Sequence, residues 1–152
     1  MNDSRSLLVL LRSGAAAGAL RALLERFGDA NAALEAGPVA WRESALSEIA
    51  VTALEQPDLA RVEADLEWLD LPEHHLIGWQ DPDYPALLRT SVYPPAGLFV
   101  AGDPDLLWHP QVAIVGSRRP TAGGRENARQ LARAFGQAGF TVTSGLAEGI
   151  DT

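Results

Sequence analysis

Gly116-Ser117-Arg118-Arg119 is the stretch of this sequence best equipped to hold an anion. It joins a glycine that admits close backbone approach, a hydroxyl donor and two guanidinium groups. It also follows an apolar run, Val112-Ala113-Ile114-Val115, and precedes a helical pattern. In an open α/β sheet, ligands bind beyond the carboxyl ends of the strands, where free backbone amides and the helix dipole favour negative charge. Ser144-Gly145 ends the next apolar run and is expected at the same edge. Two Ser-Gly turns at one sheet edge suggest a phosphate pocket. The plainer reading is a pair of tight strand-to-helix turns flanked by solvated arginines.

Other arrangements carry less. Gly116, Gly123 and Gly124 lack the G-x-G-x-x-G spacing, and Arg118 stands where the second glycine of that dinucleotide fingerprint would be. No G-x-x-x-x-G-K-[ST] loop is present. Arg125, Arg129 and Arg133 recur every four residues and would span about 12 Å of one helix face, either as a track for a backbone of phosphates or as a solvated face. Glu73-His74-His75 and Asp81 lack metal-ligand spacing, since adjacent histidines diverge on a strand or a helix, so no metal is expected. Trp41, Trp68, Trp79 and Trp108 could stack bases, but their scatter favours packing. The three histidines, His74, His75 and His109, precede the sheet motifs, and nothing pairs Glu148 or Asp151 with a nucleophile, so no catalytic residue is assigned.

The elements that must position these residues follow from periodicity. Leu7, Leu8 and Leu11, then Leu20, Leu23, Leu24 and Phe27, recur at three- and four-residue intervals, which predicts two helices separated from the next by Gly28-Asp29. A third short helix is expected from about Asn31 to Ala36, stopped by Gly37-Pro38. Thr52 to Glu55 has capping-box spacing, and Leu59, Val62, Leu66 and Leu69 fall on one face of a helix ended by Leu71-Pro72. From residue 76 the period changes, with strand-like Ile77-Gly78-Trp79 and Leu98 to Ala101 on either side of turn chemistry at Asp81 to Pro85. Val112 to Val115 reads as a strand buried on both faces, followed by a helix from about Gly123 to Ala138 that turns Ala128, Leu131, Ala132 and Phe135 to the sheet, and by a strand from Phe140 to Thr143. That is a βαβ unit. The expected fold class is α/β, with a small all-helical domain over 1-72 and the truncated start of a parallel sheet over 73-152. Doubly wound sheets carry more strands than this, so the chain is expected to be a fragment of a longer protein.

Composition sets the outer bounds. The 152 residues include 47% hydrophobic and 21% charged side chains, as in a globular protein. Cysteine is absent, which excludes disulfides, thiolate metal sites and a cysteine nucleophile and suits a cytoplasmic protein. The apolar run Leu7 to Leu11 is too short for a secretory signal, and nothing approaches the roughly 20 residues of a membrane span. All 12 basic residues are arginine, and the net charge of -8 argues against binding nucleic acid by bulk charge. The charge is uneven, however: residues 1-110 carry 7 Arg against 17 acids and residues 111-152 carry 5 Arg against 3 acids. A polyanion would be received by the last forty or so residues.

With these residues in view, a larger pattern stands out. Asp81-x-x-Tyr84-Pro85-x-Leu87, then Pro95 and Leu98-Phe99-Val100-Ala101-Gly102, then Val112 to Arg118, and Ser144-Gly145-Leu146-Ala147-x-Gly149-Ile150-Asp151 resemble the DNA-processing protein A (DprA/Smf) family. The resemblance covers residues 76-152, and the first seventy residues are similar in length and pattern to that family's SAM-like or helix-hairpin-helix-like domain. Ser13 to Gly18 departs from the G-x-G turn of helix-hairpin-helix motifs.

The resemblance implies an extended Rossmann-like fold that binds single-stranded DNA, protects incoming strands in natural transformation and helps load the recombinase RecA. It implies no catalysis and no cofactor, and it implies a homodimer of the full-length protein. By position, Gly116, Ser117 and Arg118 fall on the family's phosphate-binding turn and Ser144 and Gly145 on its neighbour, with Arg119 and Thr121 on the same loop. Two other functions remain compatible with the residues. A Rossmann-like nucleotide hydrolase similar to the lysine-decarboxylase-like phosphoribohydrolases would use the same half-sheet, although their P-G-G-x-G-T-x-x-E motif is not in this chain. A protein-interaction module would use the acidic helices instead.

Overall fold

The structure, a computed structural model, describes residues 3–152 as eight α-helices and four short strands. The helices are α1 (Asp3–Arg12), α2 (Ala17–Phe27), α3 (Ala30–Glu35), α4 (Gly37–Glu43), α5 (Glu48–Glu55), α6 (Leu59–Leu69), α7 (Ala86–Arg89) and α8 (Ala122–Gln137). The strands are β1 (His74–Gly78), β2 (Gly97–Ala101), β3 (Gln111–Ala113) and β4 (Thr141–Thr143). They form two compact units, one up to Pro104 and one from Asp105 onwards. The division falls well past the 72/73 boundary expected from the change in period. Its physical reason is the antiparallel β1–β2 ladder, which packs against the helices and so belongs with them.

The first unit is built around α1. Five consecutive residues, Ser6 to Leu10, are buried there, so this helix is covered on all sides, with α3, α5 and α6 in contact with it. The ladder pairs Gly78 with Gly97, and each glycine lies beneath a leucine of α1. A Cβ on Gly78 would come 3.0 Å from Leu7 Cδ2, and one on Gly97 would come 2.9 Å from Leu11 Cδ1. Leu7 and Leu11 stand one helical turn apart, so the bare glycine pair is the seat of that turn. Arg12, at the end of α1, grips Asp65 of α6 with both carboxylate oxygens engaged, Nε lying 2.6 Å from Oδ2. Hydrogen bonding to Asp65 raises the Arg12 pKa.

Most sequence-level expectations in this unit hold, and two do not. Leu20, Leu23 and Leu24 are buried and Phe27 packs beside them. Gly28 ends α2 at φ 89°, and Asp29 opens α3 by accepting the Ala32 N–H at 2.7 Å. Gly37-Pro38, expected only to stop a helix, also starts α4, because proline suits a first helical turn. Thr52 to Glu55 is no capping box. Thr52 lies inside α5 with its hydroxyl bonded to Glu48 O at 2.9 Å, and the cap is Ser47, whose side chain accepts from Ala50 N. On α6, Val62 is buried and Leu66 and Leu69 pack on the core, while Leu59 is 54% exposed at the helix entry.

The second unit contains the parallel pair β3–β4, in register from Gln111↔Thr141 to Ala113↔Thr143, with α8 as the crossover. Thr121 caps α8, its Oγ1 accepting the Gly124 N–H at 3.0 Å. The strand over Val112–Val115 is not buried on both faces: Val112 and Ile114 are half-buried, whereas Ala113 and Val115 are exposed. Ala128, Ala132 and Phe135 turn to the covered side of α8, and Leu131 does not, being 52% exposed. No described helix is long and apolar enough to cross a membrane.

Candidate nucleic-acid interface

Each strand of the parallel pair runs directly into one of the two glycine turns, so the ladder fixes both at one edge. Ile114 N donates to Thr143 O at 2.9 Å, carrying the pairing one residue past β3. The turns are joined. Ile150 N donates to Ser117 O at 3.2 Å, Gly116 N donates to Asp151 Oδ1 at 3.2 Å, and Ser144 Oγ donates to Asp151 O at 2.6 Å.

Two glycines make that contact sterically feasible. A Cβ on Gly116 would lie 2.7 Å from Ile150 Cγ1, so its bareness serves the approach of Ile150. Gly149, at φ 110°, stacks on the backbone of Ser117 and Arg118, and a Cβ there would fall 2.7 Å from Arg118 Cα and overlap Ser117 O. Side chains are excluded from this position by both conformation and space.

The seven expected site residues divide by how they are occupied. Gly116 and Ser144 already spend their donors inside the protein, on Asp151. In this structure an internal carboxylate takes the Gly116 amide and an internal carbonyl takes the Ser144 hydroxyl, the two donors expected to face a phosphate. Thr121 serves α8 as its cap. Ser117 Oγ accepts from Arg119 N at 3.1 Å, which leaves its proton free to donate. Gly145 is exposed and makes no hydrogen bond, and Arg118 has neither hydrogen bond nor ion pair among the described residues. The guanidinium of Arg119 is likewise unpaired.

Arg125, Arg129 and Arg133 also have no side-chain partner, so among the described residues every arginine of the second unit is unpaired. In the first unit Arg5, Arg12, Arg26 and Arg42 bind Glu63, Asp65, Glu43 and Glu48, while Arg61 has no side-chain partner among the described residues. Arg125 and Arg129 border a hollow of about 330 Å³ floored by Ile114, Ala128, Ala132 and Val142. Asp151 lines the same hollow, so a carboxylate faces it together with the two arginines. Asp151 and Gly149, left without a role by the sequence reading, are the pieces that join the turns. Their only signal was the Gly-Ile-Asp run after Ser144-Gly145.

The remaining polar groups do not form a competing site. Among the described residues no cluster of His, Asp and Glu is placed to hold a metal. His74 bonds to Pro72 O at 2.8 Å and meets the Trp68 ring edge-on. Trp79 lies between Arg21 and Arg89, with their guanidinium carbons 4.9 and 4.8 Å from its ring, and Trp41 donates to Ala33 O at 2.8 Å.

The turn, the crossover helix and the second turn lie within the region where comparison with known proteins is decisive. The family profile of DNA recombination-mediator protein A matches residues 75–152, half of the chain. The chain belongs to this family. Protein Smf of Escherichia coli (strain K12) is 44% identical over 91 residues, which are 59% of this chain and 24% of that protein. The DNA processing protein DprA of Bacillus subtilis (strain 168) is 42% identical over 69 residues, 45% of this chain and 23% of that protein. The chain thus spans about a quarter of the length of these curated relatives of the recombination-mediator family. The X-ray structure of DNA processing protein A from Streptococcus pneumoniae shares the fold with a TM-score of 0.73 at 24% identity, over 97% of this chain and 50% of that one.

Proposed function

We propose that this chain is part of a single-stranded-DNA-binding recombination mediator that protects incoming strands and assists loading of the recombinase RecA in natural transformation. It acts in the cytoplasm, by binding and without a catalytic step. On this reading the first unit supplies a SAM-like helical domain, and β3–α8–β4 is the opening of an extended Rossmann-like sheet. The observation that carries the proposal is the pair of joined turns at one sheet edge with Arg118 and Arg119 exposed and unpaired beside them.

Phosphates would be met by the Arg118 fork and amide, the Arg119 guanidinium, the Ser117 hydroxyl and the Gly145 amide, while Gly116, Thr121 and Ser144 hold the loops that present them. Arginine is suited to this work because its planar fork can take two phosphate oxygens at once. Backbone contacts of this kind give affinity without sequence preference and leave the bases accessible for hand-over.

The test is fluorescence anisotropy of a labelled oligothymidylate titrated with the chain across a salt series, with Arg118→Ala in parallel. Each neutralised phosphate should contribute about -0.7 to the slope of log K against log salt, so a clamp on two or three gives a slope near -1.4 to -2.1. Arg118→Ala should weaken binding about tenfold, the usual cost of a charge-assisted pair. A flat salt dependence, or equal binding by Arg118→Ala, overturns the phosphate clamp.

A further inference from the structure

Resting on the phosphate-binding reading above, we infer that Asp151 is a positioning residue, whose carboxylate and carbonyl join the two turns and thereby fix the backbone from which Arg118 projects. The joint has four parts. Asp151 Oδ1 accepts from Gly116 N at 3.2 Å, and Asp151 O accepts from Ser144 Oγ at 2.6 Å, so one residue holds both turns. Its neighbour Ile150 donates to Ser117 O at 3.2 Å and covers Gly116, and Gly149 stacks on the backbone of Ser117 and Arg118. Ser144 Oγ also accepts from Leu146 N at 3.1 Å, so the hydroxyl that reports to Asp151 shapes its own turn as well.

The chemistry separates positioning from contact. Asp151 bears the same charge as a phosphate and repels one, so it gains nothing by touching DNA. Its value lies in the tie itself: Gly116 is exposed, so water would take its amide in the absence of Asp151, and what the carboxylate adds is the link between the two turns. A hydrogen-bond acceptor of the same shape is therefore sufficient, and the negative charge is dispensable. Without the acceptor the Gly116–Arg118 turn loses the side-chain tie to the second loop, and Arg118 must be ordered at the moment of binding.

Two substitutions and two readouts test this. Asp151→Ala removes the acceptor, and Asp151→Asn retains an oxygen at the same place. In oligothymidylate titrations, Asp151→Ala should bind about five- to tenfold more weakly, the cost of a lost hydrogen bond to an ordered turn. Asp151→Asn should bind as the parent does or more tightly. Hydrogen exchange at the Gly116 amide, followed by NMR without DNA, should speed up in Asp151→Ala and not in Asp151→Asn. Parental or tighter binding by Asp151→Ala overturns the positioning role and makes the carboxylate a competitor of the phosphate. Equal loss in Asp151→Asn and Asp151→Ala also overturns it, since charge would then be the requirement. If the parent chain binds no DNA, or Arg118→Ala binds as well as the parent, the phosphate reading falls and the role in DNA binding with it. Gly116 exchange then still reports on the joint, and unchanged exchange in Asp151→Ala would show that it does not exist.

Discussion

The hydroxyl of Ser44 is buried and has no hydrogen-bond partner among the described residues. It sits at the carboxyl end of α4 with backbone angles that alanine adopts freely, and its N–H is already used on Ala40 O. Burying an unsatisfied hydroxyl costs free energy that a methyl group would not. Ser44→Ala is therefore expected to raise stability by about 1 kcal/mol, read as a higher urea midpoint at unchanged slope. A lower midpoint would mean that the hydroxyl has a partner. Asp65 is the opposite kind of buried polar residue, since Arg12 engages both of its oxygens. The same distinction between satisfied and idle groups sorts the candidate interface. Thr121, Gly116 and Ser144 are occupied within the protein, and Arg118, Arg119 and Gly145 are not.

At the scale of elements, the Gly78–Gly97 pair decides how closely the β1–β2 ladder approaches α1. A side chain at Gly97 meets Leu11 first, and Leu11 can yield a little because it is only partly buried. Valine is too large for that adjustment, so Gly97→Val should cost about 2 kcal/mol through overpacking, measured by urea denaturation. An unchanged midpoint would remove the glycine seat from the account. This contact was not legible in the sequence, because it depends on two glycines paired across a ladder and on one helix turn far upstream. What was legible is the local pattern. Leu20, Leu23 and Leu24 announced a buried helix face, and Gly28 announced its end. Thr52 and Glu55 show where pattern fails, since their spacing fits a cap but the helix had already begun at Glu48, capped by Ser47. Val112 to Val115 failed for a different reason: an apolar run states what could be covered, and only one face of β3 has anything on it. In the second unit, the exposed turn that carries Ser117 and Arg118 was legible from residue type and position. The function of Asp151 was not, because it arises from a fold that returns the chain to Gly116 from 35 positions away.

Across the whole molecule, the buried core lies in the first unit, and the arginines of the second have no side-chain partner among the described residues. Every described residue that is buried falls between Ser6 and Ala96, whereas the second unit has none. Two three-residue strands and one helix cover a single face, which leaves little apolar area to remove from water. Backbone amides of α1, α2 and α5 should therefore exchange hydrogen slowly, and those of β3, α8 and β4 by openings of much lower free energy. On the proposed reading, phosphate binding acts on the weaker unit. A ligand present at a hundredfold excess over its dissociation constant stabilises the competent state by about 2.7 kcal/mol, so protection in residues 105-152 should rise nearly a hundredfold with oligothymidylate. The first unit should change little. Hydrogen-exchange mass spectrometry resolves the two segments in one experiment. Equal protection of both units without DNA would contradict the burial argument. A rise confined to the first unit would place the ligand away from Arg118 and the turns that carry it.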